Sequence, residues 1–289
     1  MRLWALVINC FPIETNLRTA RMMGRIWWLI MKRHRDRAMD NLRPALGDCY
    51  NERELRDIAR RSFEHFAQLY LVEQMMTQRL INPHSWSRHV TLDNLGPALS
   101  ELFKDRGAIM LTAHFGNYEL LGYTIARLGL PISAVMRPLD NPLLNEFLLD
   151  SREAGGLTLL YKKGASRAAV DVLEAGGTLC FISDQDAGRK GVFVDFFNRP
   201  ASWYKSIGLL AMNHNVPLVV GQAVRTRPGF HYRIEVECII QPEDWRDQDD
   251  PLLWITRTFA NAIESAIRRH PEQYLWMHRR WKSRPRKKS

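Results

Sequence analysis

Residues 108–119, Ala-Ile-Met-Leu-Thr-Ala-His-Phe-Gly-Asn-Tyr-Glu, set a histidine, a glycine and a carboxylate directly behind an apolar run. Histidine is the side chain best suited to proton transfer near neutral pH, and a carboxylate on its Nδ1–H fixes the tautomer that leaves Nε2 free as a base. If His114 and Glu119 were both helical, five residues would turn through about 500° and set them on different faces. If His114 instead ends a strand and Gly116 turns the chain sharply, Glu119 falls in the first turn of a helix and reaches back to the imidazole. On that reading His114 and Glu119 form the catalytic pair, and the backbone N–H groups of Gly116 and Asn117 face a developing oxyanion. The competing reading is a histidine that caps a helix beside an exposed glutamate.

The elements that must position these groups follow from the hydrophobic pattern. Residues 108–113 are short and apolar, as in a buried strand, while Leu120, Leu121, Thr124, Ile125 and Leu128 recur at helical spacing. Strands are expected at 132–136, 157–160, 178–183, 216–223 and 231–238, and helices at 117–128, 143–153, 166–174, 205–213 and 252–268. This alternation predicts an α/β fold with a mostly parallel central sheet flanked by helices, whose ligands bind at the carboxyl ends of the strands. Ahead of it, an amphipathic helix over 17–40 and a second over 52–76, started by Asn51 with Glu54 in capping-box position, form an N-terminal helical extension. The expected division is 1–85 for that extension and 86–289 for the catalytic unit.

Three further blocks carry clustered polar residues. Met136-Arg137-Pro138-Leu139-Asp140-Asn141 follows one strand, Asp184-Gln185-Asp186-Ala187-Gly188-Arg189-Lys190-Gly191 follows another, and Pro271-Glu272-Gln273-Tyr274-Leu275-Trp276-Met277-His278-Arg279-Arg280-Trp281-Lys282 lies near the end. With the His-Phe-Gly-Asn-Tyr-Glu block, these four resemble, in order, the signature blocks of the bacterial lipid A biosynthesis acyltransferases, over roughly residues 20 to 286. The resemblance implies a glycerolipid acyltransferase-like fold and transfer of a fatty acyl group from an acyl carrier protein or coenzyme A thioester to a hydroxyl of a membrane glycolipid, first of all a lipid A precursor. A phosphatidylinositol mannoside or a lysophospholipid is the alternative acceptor. The resemblance also implies that Arg137 holds a phosphate or the donor carbonyl, that Asp184 and Gln185 lie near His114, and that Arg189 and Lys190 meet acceptor phosphates or the phosphopantetheine linkage. His278 and Arg279 are either structural, in contact with the acceptor, or part of a basic membrane-facing tail. The aromatic residues Phe63, Phe66, Tyr70, Phe193, Phe196, Phe197, Trp203 and Tyr204 either wall an acyl channel or fill the core.

Charge narrows the partners. The net charge of +10 is concentrated in residues 18–43, at +6, and 278–289, at +7, leaving −3 on the rest. Two cationic patches suit an anionic membrane surface, a phosphorylated lipid or an acidic carrier protein. Nucleic acid is not expected, because no helix-turn-helix, zinc-finger or RNP-like signature accompanies the charge, although a non-catalytic basic binding module is the alternative outside the enzyme class. No run of about 18 apolar residues predicts a transmembrane helix, so attachment is expected to be peripheral, at the cytoplasmic face of the inner membrane that the resemblance implies, with Trp27 and Trp28 among arginines at a headgroup interface or packed on the body. Four cysteines without a C-x-x-C pair, and no His-Glu-x-x-His, call for no metal and no cofactor beyond the acyl thioester.

Overall fold

The structure, a computed structural model, describes residues 2–104, 106–136, 145, 146, 149, 152, 153, 155–161 and 165–285. The helices are α1 (Arg2–Asn9), α2 (Ile13–Ile30), α3 (Lys32–Leu46), α4 (Glu52–Gln68), α5 (Gln74–Leu80), α6 (Gly96–Leu102), α7 (Tyr118–Arg127), α8 (Ala165–Glu174), α9 (Lys205–His214), α10 (Pro242–Arg246) and α11 (Pro251–Arg269). The strands are β1 (Val90–Asp93), β2 (Ala108–Thr112), β3 (Ile132–Met136), β4 (Thr158–Tyr161), β5 (Thr178–Ile182), β6 (Val192–Phe196), β7 (Arg199–Trp203), β8 (Leu218–Arg225) and β9 (Tyr232–Ile240). The helix expected over 143–153 lies mostly outside the described residues.

Seven strands form one sheet in the order β1-β9-β8-β2-β5-β3-β4. The run β8-β2-β5-β3-β4 is parallel, and β9 turns back antiparallel on β8 before pairing in parallel with β1. The sheet is therefore mostly parallel and flanked by helices, as expected. Every residue of β2 is buried, because helices cover both faces and leave no side for alternating polar residues. Ile109 and Leu111 face one core with α3, α4, α8, α9 and α11, while Ala108 and Met110 face a second with α1, α2, α6 and α7.

Two local expectations change, and one hairpin was not anticipated. The single helix over 17–40 is two helices, because Met31 leaves helical geometry (φ −89°, ψ 68°). Both α2 and α3 pack on α4, and one straight helix of their combined length, about 50 Å at 1.5 Å per residue, would overrun a partner half as long. The helix over 52–76 starts with the expected Asn51/Glu54 capping box, but it widens to a π-helix at Leu69–Glu73, which turns the Glu73 carboxylate inward. The aromatic stretch after residue 191 is an antiparallel hairpin, β6–β7, turned by Phe197 and Asn198, both at positive φ (54° and 57°). A phenylalanine is a poor turn signal, and packing holds it there: Phe197 is fully buried against Phe196 and Trp276. With Phe63, Phe66, Phe196 and Trp203 also buried, these aromatics fill the core.

Candidate active site

Strands β2 and β5 are neighbours in parallel register, with Thr112 opposite Ile182. Each chain continues two residues past that pair, to His114 and to Asp184. Ser183 binds the Thr112 carbonyl through its N–H (2.8 Å) and hydroxyl (3.1 Å), which keeps the two exits side by side. His114 Nδ1 lies 2.8 Å from Asp184 Oδ1. Asp184 is fully buried and His114 nearly so. Burial alone would push the Asp184 carboxyl up, but the charge and hydrogen bond of His114, with the charges of His278 and Arg280, hold it at about 2. Burial opposes the imidazolium of His114, yet the charge and hydrogen bond of Asp184, with the charge of Glu119, raise its pKa above the ordinary 6.5.

The expected contact between Glu119 and His114 is not made. Asn117 caps α7 through its side chain, which accepts from Leu120 N–H, and Glu119 falls in the first turn as anticipated. From there its carboxylate meets Arg152 in a two-pronged pair, at 2.6 and 3.0 Å. A planar guanidinium that is itself largely buried is the stronger claim on a carboxylate, and the register of β2 and β5 delivers Asp184 to Nδ1 instead.

The Gly116 and Asn117 N–H groups are not free for an oxyanion either: Gly116 N–H donates to the Gln273 carbonyl (3.0 Å) and Asn117 N–H to the Ala223 carbonyl (2.8 Å). They lock the turn. Gly116 has φ +58°, and a Cβ there would stand 2.1 Å from the Ala223 carbonyl oxygen, so only glycine fits. His65, which burial and the charge of Arg225 hold at about 3, donates from Nε2 to the Gly116 carbonyl at 2.9 Å. The Leu275 N–H binds the His114 carbonyl at 3.0 Å.

Beneath the turn sits a buried network that the sequence did not announce. Glu73 accepts from Asn117 Nδ2 (3.0 Å), the Tyr232 hydroxyl (2.5 Å) and Arg225 Nη2 (2.5 Å). Arg225 N–H donates to the Gln273 side chain, and Gln273 returns a bond to the Arg225 carbonyl. No spacing links residues 73, 117, 225, 232 and 273: Asn117 and Gln273 lie in two of the motif blocks, but nothing local marks Glu73, Arg225 and Tyr232 as their partners.

The other implied residues divide. Gln185, Arg189 and Lys190 are exposed and make no hydrogen bond or ion pair among the described residues. Asp186 instead accepts from Ser283 N–H (3.2 Å) and Oγ (2.8 Å), tying the loop to the C-terminal segment. Arg137 lies outside the described residues. His278 does enter the site: its ring centroid is 5.6 Å from that of His114, while Tyr118 stands 5.2 Å away. A cavity of about 90 Å³ runs between Thr112, Tyr118, Cys180, Ile182 and Leu157, with the Glu119–Arg152 pair in its wall; it is lined by the strand residues two places before the dyad, Thr112 and Ile182, and not by His114 or Asp184 themselves.

A buried carboxylate, a histidine with a raised pKa and an apolar cavity at the carboxyl edge of a parallel sheet suit base chemistry on a substrate with an apolar portion. Comparison with known proteins agrees in kind. Residues 2–283 match the family model described as bacterial lipid A biosynthesis acyltransferase. A lipid A biosynthesis acyltransferase of Haemophilus influenzae is 31% identical over 194 residues, 66% of this chain and 60% of that protein. A lipid A biosynthesis palmitoleoyltransferase of Escherichia coli is 29% identical over 67% of this chain and 61% of that protein. A lipid A biosynthesis lauroyltransferase of Escherichia coli is 26% identical over 98% of this chain and 90% of that protein. The first two matches thus span about three fifths of those relatives, around 60% and 61% of their length. Since the family model runs through the His114 turn, the Asp184 loop and the segment that carries His278, the chain belongs to the bacterial lipid A biosynthesis acyltransferase family.

Proposed function

We propose that the protein transfers a fatty acyl group from an acyl carrier protein or coenzyme A thioester to a hydroxyl of a lipid A precursor. The His114–Asp184 pair carries this reading. Asp184 holds Nδ1–H, so Nε2 is the unprotonated nitrogen, and His114 removes the acceptor proton as the oxygen attacks the thioester carbonyl. The resulting imidazolium is stabilised by the fully buried carboxylate 2.8 Å away and returns its proton to the departing thiolate. The cavity lined by Thr112 and Ile182 takes part of the acyl chain, with the thioester end towards His114.

Attachment to an anionic leaflet at the cytoplasmic face of the inner membrane belongs to the same reading. Among the described residues no helix is long and apolar enough to cross a membrane. Large apolar side chains are nonetheless exposed along α1 and α2, among them Met22, Ile26, Leu29 and Ile30, with Lys32 and Arg33 exposed just beyond them. The two basic segments also meet, as Arg37 donates to the Met277 carbonyl and Asn41 to those of Trp276 and His278. Exposed apolar residues rimmed by cations suit insertion among anionic headgroups.

The test is thiol release by the purified chain with acyl carrier protein or coenzyme A thioester and lipid A precursor, followed by mass spectrometry of the lipid. Wild-type protein should add one acyl mass to the lipid and His114→Ala should not; a lipid mass unchanged with either donor would remove the proposal.

A further inference from the structure

Acyl transfer through His114 places a negative charge on the carbonyl oxygen, and the two main-chain donors at the turn are already bonded to Gln273 and Ala223. One oxyanion donor is commonly worth about 10² to 10³ in rate, so another group facing the reacting carbonyl matters. His278 stands beside His114. Its ring lies 5.6 Å from that of His114 at an interplanar angle of 36°. The segment carrying it is fixed on both sides, by Leu275 N–H on the His114 carbonyl and by Asn41 on the Trp276 and His278 carbonyls.

The ring makes no hydrogen bond among the described residues. Nδ1 is buried and unpartnered, while the residue as a whole is only half-buried, so the edge open to a ligand is Nε2. A proton on a sealed Nδ1 would be a buried donor with no acceptor, which favours the tautomer with the proton on Nε2. Burial pulls the His278 pKa below the ordinary 6.5 against the charge of Asp184, with His114 and Arg280 adding to the fall. The ring is thus an uncharged donor near neutral pH.

We propose that His278 is a second catalytic residue, whose Nε2–H donates a hydrogen bond to the thioester carbonyl oxygen as it becomes an oxyanion. This rests on the acyl-transfer reading above. The acceptor proton moves to His114 Nε2, the acceptor oxygen bonds to the carbonyl carbon, and the carbonyl electron pair moves onto the oxygen held by His278. On collapse that pair returns, the carbon–sulfur bond breaks with its electrons on sulfur, and sulfur takes the proton from His114. His278 keeps its own proton throughout.

The experiment compares His278→Gln, which retains an N–H donor, with His278→Phe and His278→Leu, which do not, in the full chain with thioester and lipid acceptor. Circular dichroism checks folding, and Leu is the comparator should the Phe variant fail to fold. The donorless variants should lose about 10² to 10³ in kcat, with KM within a few-fold, and Gln should restore at least tenfold. The acid limb of the pH profile, set by His114, should stay in place in the Gln variant. Equal kcat in Gln and a folded donorless variant overturns the inference, whether both are active or both impaired, since the donor then does not matter. His114→Ala in parallel separates the two claims: if it is inactive while His278→Phe is fully active only the inference fails, and if it transfers normally the acyl-transfer reading fails.

Discussion

Asp184 Oδ1 stands 2.8 Å from His114 Nδ1 across 70 residues of sequence, while the carboxylate five residues from the histidine, Glu119, is bound by Arg152. The hydrogen bond on the histidine is therefore made across two adjacent strands and not within one turn.

His114→Ala should reduce kcat by about 10² to 10⁴, the range for a positioned general base. Asp184→Asn should be nearly as severe, because an amide can hold Nδ1 in the wrong tautomer and cannot stabilise an imidazolium. In steady-state thiol release the double variant should match His114→Ala, since the two act as a unit. Full additivity of the two losses would show separate roles.

Glu119→Gln and Arg152→Gln should couple to each other. Either change removes the two-pronged pair in the cavity wall, so a double-mutant cycle should give an interaction of about 0.5 to 3 kcal/mol. Glu119→Gln should also cost less kcat than Asp184→Asn, and the reverse order would return Glu119 to the role of orienter.

The pH dependence has a definite sign. His114 must be neutral to act as base and its pKa is raised above 6.5, so kcat/KM should fall on the acid side with a midpoint above that value. Glu119→Gln removes one of the charges that raise it, and the midpoint should move to lower pH. For stability, Asp184, depressed to about 2, contributes fully above its ordinary 3.8 and loses its contribution as pH falls towards 2. The raised His114 contributes fully below 6.5 and loses its contribution as pH rises through its own pKa. Urea unfolding across pH, compared with Asp184→Asn, measures both limbs.

Glu73→Ala should destabilise the fold by about 3 to 5 kcal/mol, the cost of breaking a buried ion pair and leaving its partner charged. Arg225, 11% exposed against 0% for Glu73, would be the stranded charge. Chemical denaturation monitored by tryptophan fluorescence reads the loss, and a change under 1 kcal/mol would mean that water replaces the carboxylate.

Binding to anionic vesicles should weaken as salt rises, and Lys32→Gln/Arg33→Gln should cost about 2 kcal/mol at low salt, roughly 1 per cation. Leu29→Gln and Ile30→Gln, at side chains 68% and 71% exposed, should weaken sedimentation with vesicles at any salt. Equal partition of all variants would place the docking face elsewhere.

Much of the fold was legible because it is written in local patterns. Apolar runs such as Ala108–Thr112 identify strands buried on both faces, Leu120 to Leu128 repeats at helical spacing, and Asn51 with Glu54 marks a helix start. The same locality singled out His114 as the candidate base and identified Gly116 as the residue that turns the chain. Which carboxylate serves the histidine was beyond it, because that depends on the register of β2 against β5, and register is fixed by strand pairing across 70 residues. The π-helix that turns Glu73 inward, the hairpin held by the burial of Phe197, and the arrival of His278 beside His114 share that origin. Each costs something locally, in helix geometry, in positive φ or in desolvation, and only contacts made after the chain has folded offset it.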